Sequence, residues 1–232
     1  MHSDIGYEND LFDILNSFID IDTIDNKKIK KQIRKYVLSL LELYPNCSNE
    51  KMYIQLLLVA YTYYLDRYLD ENDFISRVNS EKLFTKIYEL IDVNFESQVK
   101  KDFERYLERY KEYLMCEKQT QTAEYEKRYM KEGRIDKAII LLFVNNILIK
   151  NKNKDFENFI SIMLLLDDIV DYEDDLKKGI ITYIIIKKQK NDMDDVKNLY
   201  DKLCFELENT QSVTIQKELT GIKKYVEKHK IM

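Results

Sequence analysis

The stretch "LLLDDIVDYEDDLKKG", Leu164 to Gly179, decides how the chain is read. An apolar run leads into it from Phe159, broken only by Ser161. Five aspartates and one glutamate then occupy nine positions, 167 to 175. The apolar part has the look of a buried helix, and Gly179 sits where a left-handed residue would close it. Lys177 and Lys178 suit the negative end of its dipole. The carboxylates do not fit so easily. Asp167, Asp171 and Asp175 fall at i, i+4 and i+8, one stripe of like charge. On an isolated helix such pairs each cost a few tenths of a kcal/mol, and partial burial raises that cost. A bound divalent cation would reverse its sign.

The rest of the chain supports an all-helical fold. Its 232 residues contain 4 glycines and 1 proline, too few breakers for a turn-rich β protein. At 45% hydrophobic it can bury a sizeable core, and no Pro/Gly/Ser linker divides it. One α-helical domain spanning 1–232 is therefore expected. Helices are expected over about 8–20, 26–44, 50–71, 80–95, 97–118, 120–131 (closed by Gly133), 136–149, 155–179, 192–208 and 212–229. Pro45 stops the second of these, with Ser48 or Asn49 capping the next. Asn151–Lys154 reads as a polar loop, with Asp155 placed to cap the helix beyond it. No element is assigned between Gly179 and residue 192. Three helices are apolar on most faces and so belong at the centre: 50–71, 136–149 and 155–179.

Composition also excludes several functions. The formal charge of −5 argues against binding nucleic acid through phosphate neutralisation. The longest apolar run is about eight residues, against about twenty for a membrane span. The start, "MHSDIGYEND", is acidic and polar and does not read as a signal peptide. Cys47, Cys116 and Cys204 are too scattered for a disulfide framework or a zinc site, which fits a reducing cytoplasm. The only histidines, His2 and His229, lie near the ends, so a Glu-x-x-His di-iron bundle is excluded. No phosphate-binding glycine loop or serine nucleophile elbow is present.

A second acidic cluster closes another apolar helix. In "YYLDRYLDEND" the acids are Asp66, Asp70, Glu71 and Asp73, and Asp66 and Asp70 share a helix face. Magnesium takes oxygen ligands, commonly one or two carboxylates together with substrate phosphates. A pair on one helix and a triple on another suit a metal–diphosphate site. The plain alternative is two solvated acidic helix ends.

At these residues the sequence resembles the class I isoprenoid synthases: terpene cyclases, trans-prenyl diphosphate synthases and the squalene/phytoene synthase group. Asp167-Asp168-x-x-Asp171 matches the second aspartate-rich motif of the prenyl synthases. Residues 167–175 also follow the cyclase pattern, with Asp at 171 and 175 in place of Ser/Thr and Glu. Asp171-x-x-x-Asp175 parallels the squalene/phytoene motif, and Lys178-Gly179 after it is shared as well. "YYLDRYLDE" resembles the first motif, except that Arg67 stands where a second Asp is usual. The resemblance covers two short motifs about 100 residues apart.

The resemblance implies an all-α bundle of the class I terpenoid synthase type around a central apolar cavity. It implies three Mg²⁺ ions and a prenyl diphosphate substrate. Asp66, Asp70 and Glu71 would bind one part of the metal cluster, and Asp167, Asp168, Asp171 and Asp175 the other. Asp70 and Asp171 would be the catalytically decisive pair. Lys178 would contact diphosphate, and Arg128, Arg134 and Lys137 are further basic candidates, Arg128 first as diphosphate sensor. Tyr63, Tyr64, Phe143 and Phe159 are candidates to line the cavity, with plain core packing the equal alternative.

A terpene cyclase, a carbon–oxygen lyase, is the leading expectation. The Gly-Lys-x-x-Arg motif and the Arg pair usual in chain-elongating prenyl diphosphate synthases are missing, since "DENDFISR" from Asp70 holds only Arg77. Head-to-head prenyl transfer and a non-catalytic helical binding subunit are the alternatives. A homodimer is compatible with exposed amphipathic helices, but no feature demands one.

Overall fold

The computed structural model describes residues 26–118, 139–149 and 153–229. The helices expected over 8–20 and 120–131 lie outside them, as do Gly133, Asn151, Lys152, Arg128, Arg134 and Lys137. Every regular element among the described residues is helical, and no strand occurs there. We label the α-helices α1 Asn26–Leu43, α2 Asn49–Glu71, α3 Phe74–Asn94, α4 Ser97–Lys118, α5 Lys154–Val170, α6 Tyr172–Lys178, α7 Tyr183–Gln189, α8 Asp194–Leu207 and α9 Val213–His229. A π-helical turn occupies Val144–Leu148. By backbone proximity the chain forms two compact units: Met1–Asp102 with Val144–Lys150, and Phe103–Phe143 with Asn151–Met232.

In the first unit α2 is the central element, packed against α1, α3 and the π-helical turn. Eight consecutive residues, Ile54 to Tyr61, are buried, so the helix has no solvent face there. Pro45 lies in the turn that ends α1, where Tyr44 N–H donates to Leu40 O at 2.9 Å and Cys47 N–H to Tyr44 O at 3.0 Å. The Tyr44 hydroxyl donates to Asn145 Oδ1 at 2.9 Å and so ties that turn to the π-helical segment. Ile149 N–H donates to Val144 O, the i to i−5 bond that defines the segment.

The α2–α3 corner is set by two polar residues. Asn72 adopts the left-handed conformation (φ 53°) and ends α2. Asp73 then caps α3, accepting from Ile75 N–H and Ser76 N–H, both at 3.2 Å. With that cap in place α3 begins at Phe74, six residues earlier than the periodicity predicts.

In the second unit α5 packs mainly on α8, and α7 touches α5, α6 and α8. Phe156, Phe159, Ile160, Ile162 and Leu165 of α5 are all fully buried. The cap of α5 is Asn153, whose Oδ1 accepts from Asp155 N–H at 2.7 Å, rather than Asp155 itself. Tyr183 to Lys187 of α7 are buried although no helix is expected there. "IITYIII" is rich in β-branched residues of low helix propensity, and at seven residues α7 is too short to display a 3.6-residue period. Burial overrides propensity in this segment.

Candidate metal and diphosphate site

The helix expected over 155–179 divides at Asp171. Asp171 has φ −87° and ψ 3°, ending α5 and starting α6. Its N–H donates to Asp167 O at 2.9 Å, while its carbonyl accepts from both Asp174 and Asp175 N–H at 2.9 Å. Asp171 thus keeps backbone hydrogen bonds into both helices across the bend. Gly179 ends α6 in the left-handed region (φ 70°), with Lys177 and Lys178 in the last turn, as the sequence predicts.

The bend sorts the carboxylates into two groups. Glu173, Asp174 and Asp175 fall in the first turn of α6, where the helix dipole favours negative charge. Asp174 is also paired with Lys177 at 3.3 Å. Asp167 and Asp168 lie at the opposite kind of end. They occupy the last turn of α5, which contains no basic residue, and there the dipole disfavours them. Asp167 is exposed, whereas Asp168 is only 2% exposed. Asp171 is exposed at the junction and Asp175 is half-buried.

Basic groups flank this stretch. Lys178 is exposed. Lys188 of α7 places its Nζ 3.7 Å from the centroid of the Tyr172 ring, one residue beyond Asp171. Lys187 points the other way chemically. It is buried and bonded to Asp192 (2.7 Å) and Asp195 (2.5 Å). Burial disfavours its charge, but those two hydrogen bonds prevail and raise its pKa above the ordinary lysine value.

The first cluster occupies the end of α2. Tyr64, just before it, is fully buried, whereas Asp66, Asp70 and Glu71 are all exposed. Arg67, in the place of the usual second aspartate, bonds Glu71 at 3.0 Å and lies 3.8 Å from Asp73. A hydrogen bond with Tyr63 and the charge of Glu71 hold its guanidinium above its ordinary value. Glu71 is thus partly neutralised within the helix. Asp73 is committed to capping α3, and its carboxyl is held below the usual range by the Ser76 hydroxyl, the capped N–H groups and Arg67.

Tyr63 is half-buried, its ring edge-on to Tyr64 at 5.5 Å. Phe143 is fully buried against Phe103 (5.2 Å) and Tyr106 (5.6 Å). Phe159 is fully buried in α5.

The first cluster belongs to one compact unit and the second to the other. Among the described residues no three His, Cys, Asp or Glu side chains gather closely enough to enclose a metal ion. The donors in both clusters are carboxylates, the hard-oxygen set that suits magnesium, which commonly takes one or two carboxylates and completes its shell with water and phosphate. Sequence reasoning missed Lys188, because its relation to Tyr172 depends on a helix, α7, whose short β-branched sequence gives no periodic signal. No family model, curated protein or solved structure matches the chain.

Proposed function

We propose that the protein is a magnesium-dependent class I isoprenoid synthase that ionises a prenyl diphosphate, most simply a terpene cyclase. The observation that carries this reading is the pair Asp167–Asp168. Two carboxylates sit in the last turn of a buried helix, against its dipole and without a basic residue in that turn. One of them is buried. The dipole at that helix end disfavours negative charge, and a divalent cation bound there would offset it.

In this reading Asp167, Asp168, Asp171 and Asp175 hold magnesium in the second motif, and Asp66 and Asp70 hold it in the first. Glu71 contributes less, because Arg67 already engages it. Magnesium, when bound, would supply positive charge to the departing diphosphate. Lys178 would share that charge, with Arg128 the first candidate to sense the diphosphate and Arg134 and Lys137 behind it. The C–O bond breaks with its electron pair leaving on diphosphate. The allylic cation then rearranges in an apolar cavity and ends by losing a proton or capturing water. Aromatic faces stabilise such cations.

The test is incubation of the purified chain with C10, C15 and C20 prenyl diphosphates and Mg²⁺, with and without isopentenyl diphosphate. Hydrocarbons or alcohols from a single substrate identify a cyclase, and longer diphosphates identify a chain-elongating transferase. Turnover that survives both Asp70→Ala and Asp171→Ala would refute the mechanism.

A further inference from the structure

We infer that Lys188, held over the Tyr172 ring beside Asp171, is a diphosphate-binding residue that no aspartate-rich motif includes. The inference rests on the metal–diphosphate reading above. The lysines around the acidic stretch are neutralised to different degrees. Lys177 is paired with Asp174. Lys187 is bonded by Asp192 and Asp195. Lys188 comes directly after it, in a region crowded with carboxylates, yet among the described residues it forms no ion pair and rests on an aromatic face.

That difference matters chemically. A carboxylate partner cancels a lysine's charge and occupies its donors. A ring face holds the ammonium by about 0.5–1 kcal/mol at an exposed site and leaves the positive charge in place. The three N–H donors of the ammonium can then turn to an incoming anion. The ring also restrains a four-carbon chain that would otherwise lose rotamer entropy on binding. Tyr172 lies between Asp171 and Glu173 in the chain, so the cation is held on the short segment that carries the carboxylates proposed to hold magnesium. A magnesium–diphosphate complex offers oxygens to such a cation. Magnesium alone would be repelled by it.

The experiment is calorimetric titration of the full chain with inorganic diphosphate in the presence of Mg²⁺, alongside melting of the ligand-free protein. Lys188→Met is expected to raise the diphosphate Kd about tenfold, the worth of one charge-assisted hydrogen bond, with little change in the ligand-free Tm. Lys188→Arg and Tyr172→Phe should bind as the unaltered chain does, and Tyr172→Leu should weaken binding by about threefold through lost restraint. Unchanged affinity in Lys188→Met, with binding lost in Asp171→Asn, would sink this inference and leave the metal–diphosphate reading standing. Weakened binding in Lys188→Met that comes with a lower ligand-free Tm and is not restored by Lys188→Arg would also overturn it. No magnesium-dependent diphosphate binding by the unaltered chain would overturn both.

Discussion

Single residues in this protein show how little a charge's position in sequence says about its role. Asp73 belongs to an acidic run, yet it is a helix cap bonded to Ser76. Replacing it with Ala should cost about 1 kcal/mol in urea denaturation, and Asn should retain most of the stability. The pH dependence comes from its depressed carboxyl. The contribution is complete above the ordinary carboxylate range and fades as pH falls through the lowered value. The gap between the unaltered chain and Asp73→Ala should therefore close on acidification. Lys187 behaves in the opposite sense. Its raised pKa means that, with the partner carboxylates ionised, its ion pairs stabilise up to the ordinary lysine value and are lost as pH rises through the higher folded one. Asp192→Asn with Asp195→Asn removes two charged partners from a buried ammonium. At pH 7 the double variant should lose more stability than removal of any exposed ion pair costs. That loss should shrink toward about pH 10 as the buried lysine, deprived of these two carboxylates, gives up its proton, a trend that parallel denaturation series would reveal. Neither role can be read from the sequence, where both groups look like surface charge.

At the scale of elements, backbone conformation separates two glycines that look alike in sequence. Gly179 ends α6 at φ 70°, with open space where a Cβ would go. Ala there meets no clash, only the left-handed penalty of about 1–2 kcal/mol, and Asn should cost less. Gly221 lies inside α9, also with open space around it. Ala there should stabilise by up to about 1 kcal/mol. Chemical denaturation of the two variants should give shifts of opposite sign. The sequence announces several such ends: Pro45, Ser48 and Gly179 lie at or beside observed boundaries, whereas the cap expected at Asp155 is Asn153. It hides what tertiary contacts create. Asp171 fits a helix by spacing, and the bend there converts Glu173 to Asp175 from mutual repulsion into favourable charge at a new helix start. The stripe at 167, 171 and 175 was legible as spacing. The burial of Asp168 beside exposed Asp167 was not, because adjacent helical positions differ by about 100° and only the packing of α5 decides which one turns inward.

The whole chain poses the question of whether its two acidic clusters act together. A ligand that binds only the folded state stabilises it by RT ln(1 + [L]/Kd), about 2.7 kcal/mol at a hundredfold excess over Kd. Mg²⁺ and inorganic diphosphate together should therefore raise the Tm, and neither alone should do so by a comparable amount. The variants then divide the effect between the compact units. Asp171→Asn should abolish the shift in every version of the metal–diphosphate reading. Asp70→Asn should abolish or greatly reduce it only if the first motif also holds metal. If the shift survives Asp70→Asn and disappears with Asp171→Asn, diphosphate binding is confined to the second unit. Asp66 and Asp70 are then the solvated end of a buried helix, and ionisation by a two-motif metal cluster is refuted. If both variants lose the shift while their ligand-free Tm values hold, the first motif contributes to binding although Arg67 replaces its usual second aspartate. The same melts decide the matter of Arg67 itself. Arg67→Asp removes the cation that engages Glu71 and supplies a carboxylate to the motif. It should lower the ligand-free Tm through added repulsion with Asp66, Asp70 and Glu71 and enlarge the shift that Mg²⁺ with diphosphate produces, because each added carboxylate raises the charge a divalent cation can offset.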